Sequence, residues 1–272
     1  MTLPSPGPDR TALITGASAG IGVELARVLA RRGHGVTLVA RREDRLRALA
    51  DELTASTGVR AEVLAADLTD SDARAALAAT LHHRGLTVDV LVNNAGFSTM
   101  GPIHESDPGR EVAMIRTDVE AVAHLCSIFV PGMVERGRGA VLNVASMAAF
   151  QPLPGQAGYG GCKAFVLSYS RAMAQEVRSR GVSVTALCPG PVETEFAEAA
   201  GLSAVESADA LPQFMWVSAA DVAQQAVAAM DKGRDVVIPG APNRIAAAVA
   251  SVIPRRLLLP LLASRHPSLK RP

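Results

Sequence analysis

Thr11-Ala-Leu-Ile-Thr15-Gly16-Ala-Ser18-Ala19-Gly20-Ile21-Gly22 opens the part of the chain that decides the fold, and Val23-Glu-Leu-Ala-Arg-Val-Leu-Ala-Arg-Arg32-Gly33 completes it. The first five residues are a short buried-strand pattern. The segment after Gly22 has helical periodicity that stops at Gly33. Between them lies a turn spaced G-x-x-x-G-x-G. Small residues there let the backbone approach a pyrophosphate, and the helix N-terminus offers free N–H groups and the positive end of its dipole. Glycine clusters also serve many ordinary tight turns. The position directly after the first strand is what favours a dinucleotide site.

Outward from this unit the pattern repeats. Strands are predicted at Val36–Ala40, Ala61–Ala65, Val88–Val92, Ala140–Ala145, Val182–Leu187 and Asp235–Ile238. Helices are predicted at Glu43–Thr54, Ser71–His83, roughly Pro108 to Arg136, around Tyr159 to Val177, and Ala219–Met230. Such alternation places helices on both faces of a doubly wound parallel sheet, an α/β fold of Rossmann type in a single domain over 11–240. Residues 1–10, proline-rich, read as a disordered lead-in. Residues 241–272 form an apolar extension, Ile245–Ile253 and Leu257–Leu262 around Pro254-Arg-Arg256. Neither run has the length of a membrane span. Packing on the domain or on a second subunit is one reading of it, and contact with a membrane surface is the other.

Composition narrows the function. With 49% hydrophobic residues but nine aromatics, the core is expected to be mostly Ala, Val and Leu. A formal charge of +1 and the lack of a basic run with interleaved aromatics argue against nucleic acid. Cys126, Cys162 and Cys188 are odd in number and widely spaced, and the six histidines have no metal spacing. This fits a reducing cytoplasm and no metal centre. The N-terminus lacks the charged and apolar regions of a secretory signal.

Three places carry chemistry. At the end of the second strand, where NAD enzymes place a carboxylate for the ribose, stand Ala40 and then Arg41-Arg42. Two guanidiniums suit a 2′-phosphate, although they also suit a solvated helix start. Asp67 after the third strand is placed to accept from an adenine amino group, or to cap the next helix as Thr69 or Asp70 could. Last is Ser146-Met-Ala-Ala-Phe-Gln-Pro-Leu-Pro-Gly-Gln-Ala-Gly-Tyr159-Gly-Gly-Cys-Lys163, in which Tyr159 and Lys163 fall at i and i+4 on one helical face. An ammonium near a phenol favours the phenolate, so the pair can hold or release a proton beside a carbonyl or alcohol, while Ser146 hydrogen-bonds the same oxygen. Singly, each of the three also fits an ordinary structural role.

Together, these motifs resemble the short-chain dehydrogenase/reductase family in its compact single-domain branch, over about residues 10–240. They stand as Thr15-Gly-Ala-Ser-Ala-Gly-Ile-Gly22, Asn93-Asn-Ala-Gly96, Ser146, Tyr159-x-x-x-Lys163 and Pro189-Gly-Pro-Val-Glu-Thr194. The resemblance implies that Ser146 orients the substrate oxygen and that Tyr159 is the acid/base. Lys163 would hold the nicotinamide ribose and lower the tyrosine pKa. The glycine turn (Gly16, Ser18, Ala19, Gly20, Ile21, Gly22), Arg41, Arg42, Asp67, Leu68, Asn93, Ala95 and Gly96 would line the adenosine side. Pro189, Gly190, Val192 and Thr194 would hold the nicotinamide end. One departure stands out: where the family usually has an asparagine in the long helix, this chain has Asp118.

The expected activity is NADP(H)-dependent interconversion of a carbonyl and a secondary alcohol. The pocket is expected from Ser98–Glu105, Ala148–Gln156 and 191–216. Its Met100, Ile103, Met147, Phe150, Leu153, Phe196, Phe214, Met215 and Trp216 favour a hydrophobic substrate, although many of them would equally serve a core. A non-catalytic NADP-binding regulator on the same fold and a membrane-peripheral lipid-modifying reductase are the rival readings. The resemblance also implies a homodimer or homotetramer, paired through the helices at 108–136 and 157–180.

Overall fold

The structure is a computed structural model that describes residues 3–196, 212–265 and 269. Residues 197–211 of the expected pocket wall, and 266–268 and 270–272 of the tail, therefore lie outside the described residues. The described chain runs β1 (Arg10–Thr15), α1 (Gly20–Arg31), β2 (Gly35–Ala40), α2 (Glu43–Thr57), β3 (Ala61–Ala65), α3 (Ser71–His83) and β4 (Thr87–Asn93). It continues with α4 (Pro108–Ile115), α5 (Ala121–Glu135), β5 (Gly139–Val144), α6 (Ala157–Val177), β6 (Val182–Leu187), α7 (Ala219–Asp231), β7 (Val236–Val237), α8 (Ala241–Val252) and α9 (Arg255–Arg265).

The strands form one seven-stranded sheet in the order β3-β2-β1-β4-β5-β6-β7, and every pairing is parallel. Central strands in such a sheet are covered on both faces, which is why β5 is an unbroken buried run, Gly-Ala-Val-Leu-Asn-Val. Leu25 and Leu29 of α1, Leu46 of α2 and Val222 and Met230 of α7 pack on one face. Leu77 of α3, Leu125 and Met133 of α5, and Val166 and Met173 of α6 pack on the other. The strand order reverses between β1 and β4. The crevice for a ligand in this architecture opens at the carboxyl ends of those two strands.

Two segments differ from expectation. From Leu3 onward the lead-in lies on the domain rather than loose. Leu3 packs against the core, Pro4 is buried, and the Thr87 N–H donates to the Asp9 carbonyl at 2.8 Å. Prolines that suggested disorder instead fix φ, so an extended segment loses less freedom when it docks. The long helix expected from Pro108 to Arg136 is broken by a π turn at Arg116–Glu120. A π turn widens the ring by one residue, and the side chain at its centre, Asp118, is fully buried.

Candidate active site

Chemistry converges at the end of β5 and the start of α6. Ser146 leaves β5 in extended backbone and caps the short turn Met147–Phe150, its Oγ accepting from the Ala148 N–H at 3.1 Å. One helical turn apart on α6, Tyr159 and Lys163 both face inward and are nearly fully buried. Lys163 Nζ lies 5.6 Å from the centre of the tyrosine ring, donates to the Val144 carbonyl at 3.1 Å, and stands 2.9 Å from Asp118 Oδ2. The other Asp118 oxygen accepts from the Phe97 N–H at 3.1 Å. A Cβ on Gly96 would lie 2.9 Å from both carboxylate oxygens, so the glycine leaves the carboxylate its place.

These neighbours set the proton affinities. Burial raises the Tyr159 phenol; the Lys163 charge and a hydrogen bond from Ser146 oppose that, and the Asp118 charge adds to it. Burial works to lower Lys163, but Asp118 and then Tyr159 outweigh it and hold the ammonium above its ordinary value. Asp118 is itself raised by burial, against the pull of Lys163. The carboxylate that the sequence singles out is thus the direct counter-ion of the lysine. Cys162, one residue before it, has a thiol pushed up to about 11 by burial, which leaves it a poor nucleophile. Met114, Tyr159 and Cys162 share an apolar cluster with Phe97, Leu153 and Phe196, and the Tyr159 and Phe196 rings are 5.7 Å apart. Apolar side chains therefore surround the phenol.

The glycine turn has the form a dinucleotide phosphate needs. Gly16 and Gly20 have φ of 65° and 56°, a region costly for any residue with a Cβ. A Cβ on Gly16 would come within 2.8 Å of Ala95, and one on Gly20 within 2.9 Å of Thr194. Ala19 precedes α1 without a side-chain cap, and the first turn of α1 carries no acid. Its N–H groups and dipole are therefore offered to an anion. Residues fit for a dinucleotide thus meet there from the first strand, the fourth strand and the 189–194 loop.

Site residues read from the sequence divide in the structure. The Asn93 side chain turns into the core, where its Nδ2 donates to Asn143 Oδ1 at 2.8 Å; Leu68 and Val192 likewise belong to the apolar packing. Asn94, which the residue reading passed over, fastens the turn by donating to the Thr15 carbonyl at 2.9 Å. Asp67 Oδ1 accepts from both the N–H and the hydroxyl of Thr69 at 2.9 Å, and the cap of α3 is Asp70. Arg42 donates to Ser18 Oγ at 3.1 and 3.2 Å, which brings it beside the glycine turn. Arg45, one turn along α2, joins it: the Glu195 carboxylate lies between the two, 2.9 Å from Arg42 and 2.6 Å from Arg45. Nothing local to any of the three marks that contact, because 150 residues separate Arg45 from Glu195.

Behind the 189–194 loop stands another residue without a local signal, Asn243 on α8. It is fully buried and donates to the carbonyls of Met215 and Pro239, each at 3.0 Å. A Cβ on Gly190 would come within 2.6 Å of its amide. The Pro189 carbonyl in turn accepts from the Met147 N–H at 2.9 Å. The tail helix thereby supports the loop next to Ser146.

A family model described as short chain dehydrogenase matches residues 10–203. A short chain dehydrogenase of Pseudocercospora fijiensis is 36% identical over 188 residues, 68% of this chain and 60% of that protein. A very-long-chain 3-oxoacyl-CoA reductase of Anas platyrhynchos is 35% identical over 198 residues, 71% of this chain and 63% of that protein. The match thus spans less than two thirds of the length of both curated relatives. Among solved structures, a short-chain dehydrogenase from Sphingobium yanoikuyae in complex with NADPH superposes with a TM-score of 0.79 at 33% identity. It covers 92% of this chain and 95% of its own.

Proposed function

The chain belongs to the short-chain dehydrogenase family, and from that premise we propose that it is an NADP(H)-dependent oxidoreductase interconverting a carbonyl and a secondary alcohol on an apolar substrate. The observation that carries this reading is the convergence of half-buried Ser146 with buried Tyr159, Lys163 and Asp118, beside a glycine turn whose helix α1 has no side-chain cap. The glycine turn, Ser18 and Arg42 would hold the phosphates, and Lys163 the nicotinamide ribose. When bound, the nicotinamide supplies or accepts the hydride. In the reducing direction the Tyr159 hydroxyl gives its proton to the substrate oxygen, and Ser146 donates a hydrogen bond to that oxygen as negative charge grows on it. An ammonium has three hydrogens. Lys163 directs toward Asp118 and Val144 in the protein and can offer another to a ribose hydroxyl. Its charge favours the phenolate left behind.

Apolar surroundings of the phenol support a hydrophobic substrate, as does kinship with a relative named for a very-long-chain 3-oxoacyl-CoA. The test is NADPH oxidation across ketones of increasing chain length. Binding of NADPH without turnover of any of them would favour the non-catalytic regulator instead. For assembly, exposed Val112 and Ile115 on α4 and Phe165 on α6 support pairing of two copies through those helices.

The cofactor preference makes two predictions. Changing Arg41 and Arg42 together to alanine is expected to weaken NADPH by about 100-fold and NADH by much less, because charge-assisted bonds to the 2′-phosphate are lost. Equal weakening of both cofactors, measured by fluorescence titration, would refute the phosphate role. Glu195 occupies the guanidiniums that a 2′-phosphate would engage, so Glu195→Gln is expected to tighten NADPH by roughly two- to fivefold with NADH unchanged. A weaker NADPH complex in that variant would show the carboxylate to be a support of the site rather than a competitor for it.

A further inference from the structure

The two helices after β7 present their apolar side chains on the wrong face for a domain surrounded by water. On α8, Asn243 and Ala247 point into the domain, while Ile245, Val249 and Val252 follow at i, i+4 and i+7 on the opposite side. Val252 is 79% exposed and Ile245 66%. On α9, Leu258 is buried while Leu257 and Leu261, at i and i+4, are exposed. Single exposed apolar residues are ordinary, but a row of them across two successive helices marks a contact surface.

Charge says what kind of surface it meets. From Ala241 to Pro272 the sequence holds Arg244, Arg255, Arg256, Arg265, Lys270 and Arg271, and neither Asp nor Glu. Arg244 and Arg256 are exposed. A second copy of this chain is a poor occupant, because a two-fold interface brings each patch against its own image and would oppose cation to cation. An anionic bilayer satisfies both features, taking apolar side chains into the acyl boundary and cations at the headgroups.

We propose that α8 and α9 form a docking surface for an anionic membrane. The surface is joined to the active site by hydrogen bonds. Arg255 donates to the Phe150 carbonyl at 2.9 Å, and Asn243 donates to that of Met215. Both acceptors lie in segments assigned to the pocket wall. A docked molecule thus has its pocket wall directly behind the two helices that meet the lipid, within reach of an apolar carbonyl compound held there. That last step rests on the reductase reading; the docking does not.

Vesicle flotation of the full chain tests the docking. Binding is expected to vesicles of phosphatidylcholine with phosphatidylserine, to be absent with phosphatidylcholine alone, and to fall with added salt. Arg244→Glu with Arg256→Glu is expected to weaken the partition by roughly 100-fold or more, and Ile245→Glu with Val252→Glu to abolish it. Circular dichroism and NADPH titration serve as controls that each variant is folded. Absence of flotation with the anionic vesicles, or equal flotation with both compositions, overturns the proposal. So does a dimer in sedimentation that Val252→Glu dissociates, which would assign the face to a second copy.

Discussion

Tyr159→Phe is expected to lower kcat for ketone reduction by about 1000-fold while NADPH affinity changes little. The size follows from the role: a positioned proton donor contributes on the order of 100- to 10,000-fold. The variant is a clean one because only the hydroxyl is removed. The ring keeps its contact with Phe196 and its place in the cluster with Met114 and Cys162, so the pocket retains its shape. Lys163 keeps Asp118 and Val144. Single-turnover mixing of the variant with NADPH and an apolar ketone would report the loss directly. A variant retaining a tenth or more of the rate would mean that another group, Ser146 or water, delivers the proton.

Asp118→Asn is expected to move the alkaline limb of the pH–rate profile of ketone reduction to lower pH. The sign comes from the charges around Tyr159. Burial raises the phenol first; Lys163 and Ser146 lower it, and Asp118 raises it. Neutralising Asp118 removes a raising charge, which favours phenolate as long as Lys163, which Asp118 helps to hold charged, keeps its proton. In alcohol oxidation, which needs the phenolate, activity would then rise at lower pH. In ketone reduction, which needs the phenol, activity would be lost at lower pH. A profile that stays in place in both directions would show that the carboxylate serves only the fold of the π turn.

Much of this is legible in the sequence because the strands are short, β-branched and bounded by glycine or polar residues. Ala61–Ala65, Ser71–His83 and Val182–Leu187 agree with the reading to the residue. Tyr159 and Lys163 share the buried face of α6, since i, i+4 spacing is a local property. What stayed hidden depends on distance or on irregular backbone. Helical periodicity carries no mark of the extra residue at Arg116–Glu120, so the sequence does not show that Asp118 is buried against Lys163. The Glu195 contact joins segments far apart in sequence. Asn93 and Asn94 are adjacent and chemically identical; only strand register decides that the first bonds Asn143 in the core and the second holds the glycine turn.

Asn243 changes how the chain can be cut and recombined. The family match ends at residue 203, yet a buried amide forty residues further on stands against Gly190 in the loop beside Ser146. A chimera joining residues 1–240 to a foreign tail would keep every motif of the family and lose that wedge. The two faces of α8 thus answer to different constraints: the inner one to the loop beside Ser146 that Asn243 supports, and the outer one to the surface the protein meets.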